Sequence, residues 1–216
     1  MKISSFGNLS KKDLNAAIFQ YPAPNLAKLA KPLLPVGNLR SYGDVCINSE
    51  GVNLFTKQLD KFLEIDLENK TIRVEAGITF RQLESLLNQY QLSLPVRPGT
   101  SLLTLGGAIA NDIHGKNHHQ KGSFGIYVKS IRLWRSDSGE IEISPNKDRE
   151  LFYATIGGIG LTGLILDATI AVETLAGTKI EAENIKFSNL KEFFQLTAAS
   201  RDYQTSVSWL DLGSKK

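Results

Sequence analysis

The chain is poor in the residues that build disulfides and metal centres, with a single cysteine, Cys46, and three histidines among 216 residues. One cysteine excludes a disulfide within the chain and a cysteine-based zinc site. The net charge of +3 at pH 7 does not indicate nucleic-acid binding, for which a strongly basic domain with clustered Lys and Arg is expected. No stretch approaches the eighteen apolar residues of a transmembrane helix, and the first residues lack an apolar signal-peptide core. We therefore expect a cytoplasmic protein, and contact with a membrane surface stays open.

The pattern of apolar residues predicts a mixed α+β chain of short strands, without the regular βαβα order of a doubly wound sheet. Alternation around a polar turn predicts a hairpin of residues 62–66 and 71–75. Thr79 and Gln82 form a capping-box pair that predicts a helix to Tyr90. The other predicted helices cover residues 13–21, 148–156 and 188–200, and the other predicted strands cover residues 33–36, 92–96, 127–134, 140–143, 164–173 and 205–212, with one more beginning near 179.

Three segments carry candidate chemistry, and the first is the loop of residues 35–44 after a predicted strand. Gly37 and Gly43 allow successive main-chain amides to turn inward, which forms a nest for phosphate oxygens. Arg40 and Ser41 add donors. An ordinary surface loop is the alternative, because glycine-containing loops are common.

The second segment, residues 98–119, combines small residues with all three histidines of the chain. Gly106 and Gly107 leave the backbone bare enough for a large ligand to approach it closely. A metal site at His114 and His118 is disfavoured, because Gly115 weakens a helix that would align them and no third ligand is evident. A structural role for His118 is the other alternative.

The third segment contains G-x-G-x-x-G at Gly158, Gly160 and Gly163. A dinucleotide-binding fingerprint of this kind follows a strand and opens a helix. Here a predicted helix precedes the glycines and a predicted strand follows them. The order favours a loop-to-strand junction over a Rossmann motif.

Taken together, the three segments resemble the PCMH-type FAD-binding domain of the vanillyl-alcohol-oxidase superfamily. The run Asp-Ile-His-Gly-Lys-Asn-His-His at residues 112–119 is most similar to the flavin subunits of decaprenylphosphoryl-ribose 2′-epimerases. The resemblance implies an α+β fold with a first FAD-binding subdomain at residues 1–98 and a second at 99–178. It implies that residues 179–216 begin a substrate domain, which continues in the longer members of the family.

The resemblance also assigns residues to the cofactor, with residues 36–44 around the pyrophosphate and residues 111–114 beside the flavin. The implied FAD-binding residues are Val36, Gly37, Asn38, Leu39, Arg40, Ser41, Tyr42, Gly43, Asp44, Gly99, Thr104, Leu105, Gly106, Gly107, Asn111, Asp112, Ile113, His114, His119, Ser123 and Ile165. Tyr42 and Trp209 are implied to face the substrate. No metal and no catalytic base are assigned to this chain.

The function implied is oxidation of a CH–OH group, at the 2′-hydroxyl of a polyprenyl-phosphate-linked pentose. An aldonolactone or sugar-alcohol oxidase is one alternative, and a non-catalytic FAD-binding module that needs a C-terminal partner chain is another. An epimerase reductase subunit is a further partner implied by the resemblance. FAD is expected to be held without a covalent bond, because Arg40 stands where flavinylated relatives carry a histidine, and a guanidinium is a poor nucleophile.

Overall fold

The structure, a computed structural model, describes residues 2–7, 12–19, 26, 32–177, 179–211 and 213. Its strands are β1 Lys2–Ile3, β2 Lys12–Asp13, β3 Asn15–Ile18, β4 Leu33–Val36, β5 Val52–Phe55, β6 Phe62–Asp66, β7 Thr71–Glu75, β8 Leu92–Ser93, β9 Val128–Arg135, β10 Gly139–Ile143, β11 Leu164–Ala171 and β12 Glu173–Thr174. Its helices are α1 Phe80–Gln89, α2 Leu105–Ala110, α3 His118–Lys121, α4 Arg149–Thr155 and α5 Leu190–Ala199, with a 3₁₀ turn at Phe124–Tyr127. The predicted α+β class is confirmed.

A three-stranded parallel sheet in the order β3-β5-β4 carries the first candidate loop. Its central strand β5 is buried along its whole length. Val36 at the end of β4 pairs with Phe55 at the end of β5. Because the carboxyl ends of parallel strands meet at one edge of a sheet, the segments that follow β4 and β5 emerge side by side.

A five-stranded antiparallel sheet in the order β10-β9-β11-β7-β6 forms the larger part of the molecule. Strand β11 lies at its centre and pairs with β7 and with β9. The sheet thus takes strands from both sides of residue 98. The division of the chain at residue 98 into two subdomains stays a prediction.

The sequence predicts that helix α1 buries one face made of Leu83, Leu86, Leu87 and Tyr90, and the structure bears this out in part, since Tyr90 is 43% exposed. Phe80, Leu83 and Leu87 are buried. The Thr79 side chain accepts a hydrogen bond from the Gln82 amide, and the Gln82 side chain accepts one from the Thr79 amide. The predicted capping box is confirmed, and with it the helix boundary.

Three secondary-structure predictions are wrong. Residues 13–19 are not helical, because β3 pairs with β5 and tertiary pairing overrides a weak local preference; residues 20 and 21 lie outside the described residues. No strand begins near 179, and residues 205–211 form none. Their alternating pattern finds no neighbouring strand in the described part of the chain, and a strand requires a partner for its main-chain groups.

Helix α5 has an amphipathic sequence but buries no side chain. Leu190 and Phe194 are both more than half exposed, and Trp209 beyond the helix is 88% exposed. None of the helices in the described ranges is long and apolar enough to cross a membrane.

A buried carboxylate ties three strands of the large sheet together. Asp167 on β11 is 1% exposed and accepts from Arg73 on β7 at 2.8 Å and from Arg132 on β9 at 2.6 Å. Arg132 also pairs with Glu140 on β10 at 3.1 Å. A buried carboxylate is tolerated only when it is paired in this way, so the ladder specifies which strands are neighbours.

We expect Asp167→Asn to lower the free energy of unfolding by about 2 kcal/mol, because the variant keeps the shape but removes the negative charge that pairs with Arg73 and Arg132, and among the described residues only Arg132 keeps a second partner in Glu140. Partial exposure of the arginines keeps the loss below that of a fully buried pair. Urea denaturation measures the change. Glu142→Gln, an exposed change on the same sheet, should stay within about 0.5 kcal/mol, and an equal loss in the two variants would contradict the structural role of Asp167.

Candidate functional site

A cleft of about 260 Å³ opens at the carboxyl ends of β4 and β5. Its three walls are the loop of residues 37–42, the segment of residues 103–113 around helix α2, and the turn of residues 159–165 that enters β11. The lining residues are Leu34, Pro35, Val36, Gly37, Asn38, Leu39, Arg40, Ser41, Tyr42, Val45, Cys46, Thr56, Ala76, Leu103, Thr104, Gly106, Gly107, Ala110, Asn111, Ile113, Ile159, Gly160, Gly163, Leu164 and Ile165.

The first wall presents main-chain amides that the protein does not use. Among the described residues, the amides of residues 37–40 donate to no protein acceptor. Leu39 has a left-handed φ of 55°, a conformation that alternates the direction of neighbouring amides and is typical of anion nests. Asn38 fixes the loop from its side chain, which donates to the Leu102 carbonyl at 2.8 Å.

Arg40 adds a positive charge to this wall. It is exposed, and within the described ranges it makes no ion pair with an acidic side chain. A guanidinium at a loop of free amides is well suited to phosphate oxygens. Tyr42 at the end of the loop is 81% exposed and contacts Phe6 edge to face, with ring centroids 5.7 Å apart.

The second wall uses its own amides internally. At the start of helix α2, the Leu105 amide donates to the Ile78 carbonyl and the Gly106 amide to the Ala76 carbonyl, both at 2.8 Å. The Gly107 amide donates to the Thr104 hydroxyl at 3.2 Å. This wall therefore supplies a bare surface and no free amide at the first turn of the helix.

Glycines bring the first two walls together. A Cβ on Gly37 would lie 2.3 Å from Thr104 Oγ1, and one on Gly106 would lie 3.1 Å from the Ala76 Cβ. A methyl group on Gly37 would force the Thr104 side chain to move, and one on Gly106 would be tight against Ala76. The small residues therefore allow protein segments to approach one another, in addition to any role toward a ligand.

The third wall is the turn that carries the G-x-G-x-x-G pattern. Helix α4 precedes it and strand β11 follows it, which confirms the prediction of a loop-to-strand junction. The Gly157 amide donates to the Ile109 carbonyl at 2.9 Å and the Ile159 amide to the Ala110 carbonyl at 2.7 Å. These bonds occupy carbonyls at the end of α2 and attach the third wall to the second.

The cleft brings together many of the residues that the sequence predicts, in all three walls. These are Val36, Gly37, Asn38, Leu39, Arg40, Ser41, Tyr42, Thr104, Gly106, Gly107, Asn111, Ile113 and Ile165. The predicted residues that do not line it are Gly43, Asp44, Gly99, Leu105, Asp112, His114, His119, Ser123 and Trp209. The role of each toward a cofactor stays a prediction.

Several residues outside the cleft instead hold its neighbourhood in shape. Asp112 has a left-handed φ of 40°, and its carboxylate accepts from the Gly125 amide at 2.8 Å. His114 pairs with Ser123 in an isolated bridge. Leu105 is fully buried in the core.

The histidines lie together on the surface beside the cleft. The rings of His114 and His118 are 5.9 Å apart between centroids, and His118 Nδ1 lies 3.3 Å from the Gly115 carbonyl. His119 Nε2 donates to the Tyr203 carbonyl at 2.9 Å. Among the described residues, no group of three or more potential ligands could hold a metal ion.

Sequence reasoning missed some of the lining, including Cys46, Thr56 and Ala76. Burial raises the pKa of the Cys46 thiol above its ordinary value. Hydrogen bonds from the main chain of Cys46 and Ser41 lower the pKa but do not cancel the effect of burial. Thr56 follows β5 and donates through its hydroxyl to the Val36 carbonyl at 3.3 Å. Thr56 directly follows β5, so a prediction that β5 pairs in parallel with β4 would have placed it beside the first wall.

Comparison with known proteins adds the family. A family model described as an FAD binding domain matches residues 25–144, more than half of the chain. The chain belongs to this family of FAD-binding domains. The predicted resemblance to flavin-dependent oxidoreductases is thereby confirmed at the level of the family.

Three curated relatives show which enzymes share this domain. The chain is 38% identical over 82% of its length to decaprenylphosphoryl-beta-D-ribose oxidase of Mycolicibacterium smegmatis. It is 32% identical over 73% of its length to mitochondrial L-galactono-1,4-lactone dehydrogenase of Arabidopsis thaliana, and 28% identical over 65% to L-gulonolactone oxidase of Mus musculus. The matches cover 39%, 25% and 31% of those relatives, so the chain spans less than two fifths of each.

The cleft fits an FAD molecule by its chemistry. Among the described residues, the amides of residues 37–40 and the Arg40 guanidinium have no protein acceptor, which suits a diphosphate, and the small residues of the second wall are compatible with a flat ring system close to the backbone. The apolar end near Leu164 and Ile165 suits an uncharged part of the ligand. The donor set and the lining agree with the family.

Two glycines that sequence reasoning treats alike should respond differently to substitution. We expect Gly37→Ala to lower the free energy of unfolding by about 1–3 kcal/mol, because the methyl group displaces the Thr104 side chain and breaks its bond to Gly107. Gly99→Ala is the matched control, since no atom lies within 4 Å of an added Cβ there. Thermal unfolding of both variants measures the difference, and equal melting temperatures would show that the two walls are not in close contact.

Proposed function

We propose that this chain is the FAD-binding part of a flavin-dependent oxidoreductase that acts on a CH–OH group. The observation that carries the proposal is one cleft lined both by residues 37–40, whose amides donate to no acceptor in the described part of the chain, and by Gly106 and Gly107. This arrangement is matched to a diphosphate attached to large planar groups. Bound flavin would supply hydride acceptance, and the protein would supply binding and orientation.

In this proposal the diphosphate contacts the loop of residues 37–42, and the flavin end extends toward Asn111 and Ile113. Some predicted FAD-binding residues, His114 among them, do not line the cleft. They would contact the cofactor at the rim of the cleft or hold one of its walls in place. Residues 1–98 and 99–178 would then be two subdomains with the cofactor between them. Substrate would enter beside Tyr42, which is exposed at the mouth of the cleft.

The proposed substrate is a sugar or a lipid-linked sugar. The specific proposal is a polyprenyl-phosphate-linked pentose that is oxidised at its 2′-hydroxyl. Support comes from the relative named as a decaprenylphosphoryl-beta-D-ribose oxidase. The relatives named for aldonolactones support the alternative of a lactone oxidase. Flavin reduction by each class of substrate would distinguish them.

A specific observation favours a second component. Helix α5 and the segment after it expose Leu190, Phe194 and Trp209, and exposed large apolar side chains in one part of a chain favour a contact with further protein. We infer that a substrate domain or a partner chain covers this surface. It would close the cofactor cleft and exclude water from the reaction.

Arg40 gives a direct test of where the diphosphate lies. We expect Arg40→Gln to weaken FAD binding about three- to tenfold, because one charge-assisted hydrogen bond at an exposed site is lost. Riboflavin, which has no phosphate, should bind equally to both proteins. Titration calorimetry with FAD, ADP and riboflavin measures this pattern.

Arg81→Gln is the control for the loss of a positive charge, because Arg81 is also exposed but does not line the cleft. It should leave all three affinities unchanged. Equal weakening of riboflavin and FAD by Arg40→Gln would contradict the placement of the diphosphate. Absence of FAD binding by the unaltered chain would overturn the proposed function.

The mode of attachment is a separate prediction. We expect FAD to be released by acid precipitation, with yellow flavin in the supernatant, because residues 37–42 contain neither histidine nor cysteine. Cys46 lies in the lining but its thiol has a raised pKa, which leaves less of the reactive thiolate. A flavin that stays in the pellet, with a matching mass increase on a peptide, would refute non-covalent binding.

A further inference from the structure

The turn that forms the third wall of the cleft has a strained backbone. Ile159, Gly160 and Gly163 have positive φ angles of 47°, 80° and 150°. For a β-branched residue such as Ile159 this region is a genuine outlier. Strained backbone of this kind persists only where surrounding contacts over-determine it.

The inner side of the turn belongs to the cleft. Ile159, Gly160 and Gly163 all line it, and a Cβ on Gly160 would lie 3.9 Å from Pro35 Cδ on strand β4, which also lines the cleft. A small change in the turn would therefore alter its distance from the strand that leads into the first wall. The beginning of the turn is fixed by the bonds of Gly157 and Ile159 to the end of helix α2.

The end of the turn is contacted from outside the cleft by the guanidinium of Arg135, and the Thr162 hydroxyl in addition lies 3.0 Å from the Thr155 hydroxyl. Arg135 Nη1 donates to the Thr162 carbonyl at 2.8 Å. The same side chain donates from Nε and Nη2 to the two oxygens of Asp137, at 3.0 and 2.7 Å, and the Ser138 hydroxyl donates to that carboxylate at 2.9 Å. Asp137 in the β9–β10 hairpin thus orients the guanidinium so that its remaining nitrogen, Nη1, points at the turn.

Close packing shows that the turn rests directly on strand β9. A Cβ on Gly163 would lie 2.7 Å from the Trp134 carbonyl and 3.1 Å from Arg135 Cγ. Trp134 is also paired with Leu164 in the sheet. Arg135 therefore acts where the strained turn joins a regular strand.

We propose that Arg135 is a positioning residue for cofactor binding, which holds the Thr162 carbonyl and so fixes the third wall of the cleft. The inference rests on the proposed function, because it assumes that FAD occupies this cleft. Arg135 itself does not line the cleft. Its effect on a ligand must pass through the position of Gly160 and Gly163.

The geometry requires arginine rather than lysine. Only a planar fork can donate to both Asp137 oxygens and still direct a third N–H at Thr162. The hydrogen bond with Asp137 raises the pKa of Arg135 and holds that of Asp137 well below its usual range. Arg135 and Asp137 therefore both stay ionised near neutral pH.

The test compares FAD affinity with the stability of the protein without FAD. We expect Arg135→Ala and Arg135→Lys to raise the dissociation constant of FAD about three- to tenfold, as for loss of one hydrogen bond. The melting temperature without FAD should stay within about 2 °C, since Asp137, the ion-pair partner of Arg135, is 61% exposed and exposed ion pairs contribute little to stability. Hydrogen exchange should accelerate in the peptide that contains residues 157–163.

Asp137→Asn should show a smaller loss in the same direction, and it carries the test with Arg135→Lys if the alanine variant does not fold. Arg149→Ala is the control, because Arg149 lies over the Tyr153 ring and does not line the cleft. Unchanged FAD affinity or unchanged hydrogen exchange at residues 157–163 in the Arg135 variants would contradict the positioning role of Arg135 and leave the proposed function intact. Failure of the unaltered chain to bind FAD would instead overturn the proposed function.

Discussion

The approach of two backbone segments, at Gly37 and at Thr104, is the constraint on which the candidate site depends. A methyl group on Gly37 would lie 2.3 Å from the Thr104 hydroxyl, so the first two walls touch at this point. The parallel pairing of β4 with β5 brings Gly37 there, and the packing of α2 on the large sheet brings Thr104 there. The contact joins two walls of the cleft, while the amides of residues 37–40 have no acceptor among the described residues.

The third wall is held by a different balance of forces. Its turn combines an unfavourable backbone at Ile159 with bonds to α2 at one end and to Arg135 at the other. A strained segment of this kind has little stability of its own, and its position reflects what surrounds it. Because contacts at both ends hold the turn, its backbone would stay at a fixed distance from a ligand in the cleft.

Local signals explain what could be predicted of the fold. The hairpin of β6 and β7, the capping box of α1 and the strand β11 follow from patterns within about ten residues, and the structure has all three. The helix predicted at residues 13–21 is wrong over residues 13–19, because residues 15–18 pair with β5, which lies more than thirty residues away. The alternation at residues 205–211 is equally local, but no strand lies beside it in the described chain.

The sequence by itself indicated the family through its resemblance, the α+β class through its pattern of apolar residues, and the three segments that meet at the cleft, whose glycines widen the range of backbone conformations. Only the tertiary structure decided which of their residues line the cleft. It placed Thr56, Ala76 and Cys46 in the lining and left Gly99 and His119 outside it. It also joined Arg135 to Thr162, 27 positions apart, because strand pairing sets such distances and no pattern within one segment encodes them.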